Sequence, residues 1–195
     1  MIKKMIMVTA ATYSLATVAF CDRDIFVEIK GSGFFPTSHL FKKIYHSSGM
    51  IGGELTVNIY DSFYGWASID WLSKSGRSLI GDSKTKVSYL PIAFGLKYFL
   101  PFCYGDWYVG VGALAGRIHT HDFSPLVAPY YTKWGWGAIA KLGVLFDISC
   151  SFFLDLFLNY SAVNAHSSNT FGGTVVPHTV KVHGVILGAG LGYRF

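Results

Sequence analysis

Residues 181–195 read KVHGVILGAGLGYRF and alternate to the very end of the chain. Val185, Leu187, Ala189, Leu191, Tyr193 and Phe195 fall on one side, with Gly184, Gly188, Gly190, Gly192 and Arg194 on the other. A period of two sends successive side chains to opposite faces of a β-strand. In a soluble sheet one of those faces would be polar; here a greasy row is set against a row of glycines. The greasy row needs apolar surroundings along its whole length, and the glycines leave room in a narrow enclosed space. A strand with lipid on one side and the interior of a small closed barrel on the other meets both needs.

Earlier segments repeat the pattern. In Asp24 to Phe35, Ile25, Val27 and Ile29 oppose Glu28, Lys30 and Ser32, and from about Gly52 to Tyr60, Leu55, Val57 and Ile59 oppose Glu54, Thr56 and Asn58. Tyr64 to Leu72 sets Ala67, Ile69 and Trp71 against Ser68 and Asp70. Thr85 to Leu100 alternates weakly and holds Pro91, which has to sit where the ladder needs no donor. Trp107 to Arg117 alternates Val109 and Val111 with Gly110 and Gly112. Lys133 to Asp147 turns Trp134, Trp136, Ala138, Ala140, Leu142 and Val144 outward and Gly135, Gly137, Lys141 and Gly143 inward. Ser151 to Tyr160 turns Leu154, Leu156 and Leu158 outward and Asp155 and Asn159 inward. Lys181 to Phe195 completes eight segments. Four long connections (Pro36 to Met50, Lys74 to Lys84, Ile118 to Thr132, Ser161 to Val180) alternate with three short ones. Long loops outside and short turns in the periplasm are the asymmetry of a bacterial outer-membrane barrel, and they place both termini in the periplasm.

Bulk composition agrees. Of the 195 residues 51% are hydrophobic and only 14% charged, too greasy for an ordinary soluble domain. A membrane helix would need about 20 uninterrupted apolar residues. The best windows fail: Val87 to Cys103 contains Pro91, Lys97 and Pro101, and Leu142 to Tyr160 contains Asp147 and Asp155. Lys3 and Lys4, followed by the apolar run from Met5 to Phe20, read as a secretory signal peptide, residues 1–19, cleaved after Ala19 or after Cys21. The barrel would then occupy 22–195. Losing Lys3 and Lys4 leaves 14 basic against 11 acidic residues, a formal +3 that argues for no nucleic-acid partner.

Aromatic residues give an independent expectation, since they gather at the two interfaces of a membrane. Phe34, Phe35, Trp71, Tyr89, Trp134, Trp136 and Tyr160 are expected to ring the outer edge, and Tyr60, Tyr64, Tyr98, Trp107, Phe146, Phe152, Tyr193 and Phe195 the inner one. A soluble sandwich with a large aromatic core would show no such clustering at strand ends. Cys103 and Cys150 fall in short turns on the same side, leaving three readings open: an internal disulfide, a cross-link to a neighbouring protein, or thiols without a role.

The fold expected is therefore all-β: an eight-stranded antiparallel transmembrane β-barrel, an up-and-down meander preceded by a signal peptide. The terminal row Leu191, Tyr193 and Phe195, with Leu187 and Ala189 before it, resembles the last strand that outer-membrane barrels present to the assembly machinery. The stretch Leu90 to Tyr98, then Pro101, then Tyr108 to Gly116, resembles the central hairpin of small barrels of the OmpW, OmpX and opacity-protein type. That resemblance spans about the last half of the chain, and strand count extends it over the rest. It implies the bacterial outer membrane as location, outer-membrane lipids as surroundings, and the barrel assembly machinery and periplasmic chaperones as partners. It leaves the activity open, because this architecture hosts pores, adhesins and lipid-modifying enzymes.

Inside so narrow a barrel, Glu28, Lys30, Glu54, Asp70, Lys141 and Asp155, joined by Lys97, are expected to interlock as ion pairs, leaving no wide aqueous pore. Their bland role, mutual neutralisation, outweighs a catalytic one. His39, His46, His119, His121, His166 and His178 fall in the long connections and His183 near the outer end of the last strand; no spacing among them specifies a metal site. His166, Ser168 and Asn169 are similar to the motif of the outer-membrane lipid A deacylases, yet no Asp or Glu follows Asp155 to orient the His. The expectation is thus a structural or passive-transport barrel for small solutes, hydrophobic ones included, with no enzyme activity and no cofactor. A surface-binding barrel acting through its outer loops is the alternative, and a lipid A-modifying enzyme a distant third.

Overall fold

A computed structural model of the chain describes residues 25–37, 47–77, 84–122, 130–171 and 174–195, with side chains described except at 76–86, 120–131 and 165–181. The strands are β1 (Ile25–Pro36), β2 (Ser48–Tyr60), β3 (Phe63–Arg77), β4 (Lys84–Phe102), β5 (Gly105–Asp122), β6 (Tyr130–Asp147), β7 (Phe152–Phe171) and β8 (Thr174–Arg194). Each pairs antiparallel with the next, and β1 closes on β8, from Phe26 opposite Arg194 to Pro36 opposite Gly184. The eight-stranded meander expected from the alternation is what the chain forms. Signal peptide and cleavage site fall in residues 1–24, outside the described residues.

Closure is what makes the pattern physically consistent, since a ring of paired strands leaves no open edge and lets the backbone groups of the wall bond to neighbouring strands. The turns at Asp61–Ser62, Cys103–Tyr104 and 148–151 share one end of the barrel with both chain ends of the wall, where Phe195 N–H donates to the Ile25 carbonyl at 2.9 Å. Asp61 takes a positive φ of 50°, as a two-residue hairpin turn requires, and its carbonyl accepts from Asn58 Nδ2 at 2.7 Å.

Outward rows are apolar and bare. Ile29 (69% exposed), Phe94 (60%) and Val111 (66%) would be indefensible on a water-facing wall and are ordinary against hydrocarbon. The chain crosses by strands: among the described residues no helix is long and apolar enough to span a membrane.

Two expectations need correction, and a third gains its physical reason. First, the strands run further than the alternation: β5 reaches Asp122, β6 starts at Tyr130, and β7 and β8 reach Phe171 and Thr174, so most of the expected Ser161 to Val180 loop is ladder, with His166 opposite Thr179 and Ser167 opposite His178. Past the bilayer both faces meet water, so polarity stops alternating while backbone pairing continues. A spanning strand needs about 9–11 residues; β7 has 20 and β8 has 21. His119 and His121 likewise lie in β5, not in a loop, and His39 and His46 lie outside the described residues.

Second, Phe34, Tyr89 and Tyr64 are not part of the interfacial rings; all three are buried inside. Phe34 shares the face of Glu28 and Lys30, so it cannot lie in one ring with its neighbour Phe35. The remaining ring members of both edges are exposed, from Trp71 and Trp136 at one end to Trp107 and Tyr193 at the other. Third, β4 alternates weakly because its inward residues Val87, Tyr89, Ala93 and Phe99 are as apolar as its outward ones Ile92, Phe94 and Leu96.

Candidate functional site

The interior is built in layers, and parity along each strand decides which residues reach it. At the end shared by the short turns, β1 supplies Phe26, β3 Tyr64, β4 Phe99 and β7 Phe153. Phe26 stacks on Tyr64 with ring centroids 5.4 Å apart, meets Phe99 edge-on at 5.9 Å and lies 5.7 Å from Phe153. Tyr64 and Phe99 meet at 4.5 Å. These edge and offset contacts are the favourable geometries for aromatic rings, and together they floor the barrel. Arg194 caps the floor from β8, its guanidinium 4.6 Å from the Phe26 ring and within 3.3 Å of Asp106 and 3.6 Å of Asp147.

Directly above lies the charged layer. Glu54 of β2 is its hub: Lys30 of β1, Lys97 of β4 and Lys141 of β6 all donate to its carboxylate, Lys141 at 2.5 Å. Each ammonium also sits near an aromatic ring, Lys141 3.4 Å from the centroid of Trp66, Lys97 4.3 Å from Tyr108 and Lys30 5.3 Å from Phe157. Ring faces attract cations, so Trp66, Tyr108 and Phe157 take up positive charge that one carboxylate cannot neutralise alone. Asp155, fully buried, accepts from the Tyr108 hydroxyl at 2.9 Å, and Glu28 is buried beside them. Of the expected residues, Lys30, Glu54, Lys97 and Lys141 meet in one cluster, while Glu28 and Asp155 flank it. Asp70 stands further out, its carboxylate occupying the space where a Cβ on Gly52 would be.

Missing from the sequence reading are Tyr108, Trp66, Phe157 and the aromatic floor. The signal was present in part as glycines: Phe34, Tyr89, Tyr108, Phe153 and Phe157 each lie over a glycine of an adjacent strand. A Cβ on Gly192 would collide with the Phe153 ring, one on Gly143 with Tyr108, and one on Gly190 with Glu28. Inward glycines do make room, and what fills the room is specific.

Outward of the charged layer the lining turns apolar, with Phe34, Met50, Leu72, Val87, Leu114, Ile118, Val163 and Val182 all buried. The wall beside this section has a flaw. Between β3 and β4 the register runs from Phe63 opposite Tyr98 to Ile69 opposite Ile92 and resumes only at Leu72 opposite Tyr89. The gap falls at Pro91, which lacks the N–H a ladder needs; on its other side Pro91 still faces Gly116 in an unbroken β4–β5 register. Pro91 is expected where no ladder needs its donor; the β4–β5 ladder runs through it, but the β3–β4 ladder is interrupted there.

The remaining expected sites stay apart from this interior. Leu191, Tyr193 and Phe195 form an exposed row at the end of the closing strand. Cys103 and Cys150 are both free and exposed, in turns linked through Asp147 N–H to the Tyr104 carbonyl at 3.2 Å. The side chains of His166, Ser168 and Asn169 lie outside the described residues. Among the described residues no group of His, Cys, Asp and Glu could hold a metal ion.

No family model matches the chain, and no curated protein matches it. Solved structures do. The outer membrane protein OprG from Pseudomonas aeruginosa superposes with a TM-score of 0.70 at 15% identity, covering 88% of this chain and 95% of that one. The E. coli Outer Membrane Protein W gives 0.58 at 16% identity over 88% and 97% of the two chains. Ail, the attachment invasion locus protein of Yersinia pestis, solved with the heparin analogue sucrose octasulfate, gives 0.54 at 14% identity over 89% and 97%. All three are bacterial outer-membrane proteins, and this chain has their fold: the expected resemblance to small barrels of the OmpW type holds at that level.

Proposed function

We propose that the protein is an integral barrel of the bacterial outer membrane that passes small apolar solutes sideways into the bilayer and conducts no bulk water. The interruption of the β3–β4 ladder at Pro91 carries this reading, because it lies beside the apolar outer section and beyond the charged layer. A solute arriving from outside meets a mainly apolar lining, with Ser48, Ser161 and Asp70 as its polar members, as far as the Glu54 cluster, where it would have to displace buried ion pairs and then an aromatic floor. The lower-energy exit is through the wall, at the β3–β4 seam, where the ladder is interrupted beside the apolar section and whose far side is hydrocarbon. The surroundings implied are outer-membrane lipids, and the exposed terminal row Leu191, Tyr193 and Phe195 is what the assembly machinery would read.

Pro91→Ala tests the route by returning a donor to the seam. One further backbone hydrogen bond stabilises the closed seam by about 1 kcal/mol, which lowers the open fraction about fivefold. Uptake of N-phenyl-1-naphthylamine by Gram-negative cells expressing the protein should fall by that factor in the variant. Equal uptake by both, or wild-type uptake no faster than that of cells without the protein, defeats the lateral route.

A second reading, surface binding, draws on the length of the β7–β8 hairpin beyond the membrane. Shortening it around residues 166–179 should leave solute uptake intact; if it instead abolishes attachment of the cells to a host surface, the hairpin is the working part.

A further inference from the structure

On the outward rows of the strands, Arg117 is the only charged side chain among the described residues. Its surroundings mark its depth. Across the ladders it faces Leu90 on one side and Trp134 on the other, and Trp71 lines the same groove as Leu90. Two residues nearer the membrane centre, the same strands carry Ile69, Ile92, Ala115 and Trp136; two residues further out they carry Ser73, Ser88, His119 and Thr132. Arg117 therefore stands where apolar wall gives way to polar wall, between the tryptophans that mark an interface. The polar side is ordered: the Trp71 indole N–H donates to Ser88 Oγ at 3.1 Å, and His119 Nδ1 lies 2.6 Å from Thr132 Oγ1. Trp71, Ser88, Leu90, Arg117 and His119 line a shallow groove of about 310 Å³ on the outside of the barrel. Among the described residues no carboxylate pairs with Arg117.

We propose that this groove holds a phosphate of a phosphorylated glycolipid headgroup in the outer leaflet. A guanidinium presents N–H groups in a fork that matches two phosphate oxygens, so a lipid phosphate at this depth supplies the counter-charge the wall lacks. The acyl chains then lie along the apolar rows below, over Ile92 and Trp136, and the sugar meets the Ser88, His119 and Thr132 edge. Polar groups that stay in the headgroup layer and apolar rows that stay in hydrocarbon make the site complementary to one molecule with both parts. The inference rests on placement in the outer membrane but not on the lateral route.

Full-length protein is reconstituted in phosphatidylcholine vesicles containing diphosphoryl lipid A, extracted in mild detergent, and the lipid A retained per barrel is measured by native mass spectrometry. Arg117→Gln should retain about fivefold less, the contribution of one basic residue at an anionic surface, with Arg117→Lys between it and the wild type. Lipid A stripped of both phosphates should be retained weakly and equally by all three. Arg117 points away from the interior, so each variant should keep its heat-modifiable gel mobility. Retention by Arg117→Gln equal to wild type, or equal retention of the dephosphorylated lipid by the wild type, overturns the proposal. A wild-type protein that fails to enter the vesicles at all overturns the membrane placement instead, so the two failures are told apart.

Discussion

The two halves of the barrel interior solve the same packing problem in opposite ways. Near the short turns, the space is filled by an aromatic floor and by three lysines locked on one carboxylate; towards the long connections it is filled mainly by separate aliphatic and aromatic side chains beside a seam where the backbone ladder is interrupted. Charge inside a protein is tolerated only when it is fully partnered, so the inner half has to be rigid. Apolar side chains have no such requirement and can give way to an apolar guest. A barrel can thus be closed to ions and water at one level and yielding to grease at another.

The largest expected effect comes from crowding the inner half. Gly192→Leu places a branched side chain where the Phe153 ring already lies, with the Phe26 and Phe99 rings behind it. The barrel should fail to close, seen as loss of the fast-migrating folded band on an unheated gel. Next is Glu54→Gln, which leaves three buried ammonium groups without their shared counter-charge. Breaking a buried ion pair costs about 3–5 kcal/mol, readable as a lowered urea midpoint in lipid vesicles; an unchanged midpoint would erase the distinction between the halves. Pro91→Ala, in the outer half, should shift that midpoint least. The regained bond, about 1 kcal/mol, is offset by the greater freedom of the unfolded chain, about 0.4–1 kcal/mol. Uptake falling while the midpoint holds would sharpen the contrast, because seam closure is then separated from general stability.

What the sequence made legible follows the physics of a wall with lipid on one side. Wherever hydrocarbon touches the barrel, period-two alternation survives, so strand number, direction, inward Glu28, Lys30, Glu54, Lys97, Lys141 and Asp155, and outward Leu191, Tyr193 and Phe195 could all be assigned by parity. Beyond the membrane the alternation disappears, which is why the β7–β8 extension reads as loop. Inside the outer half the lining is as apolar as the exterior, which is why β4 reads poorly and why Phe34 and Tyr89 pass for interfacial residues. Who partners whom is set by stagger between strands, a property of closure, so Glu54 as the hub of three lysines from three other strands was out of reach. Parity alone, strictly applied, would have placed Phe34, Tyr64 and Tyr108 correctly.

Ion conductance through planar bilayers bears most directly on the sealed inner half. Wild-type protein inserted at single-molecule level should pass no resolved current, because the Glu54 cluster and the aromatic floor leave ions no hydrated path. Stable, stepwise conductance from the folded wild-type barrel would mean that water threads the interior after all, and the layered account would be wrong.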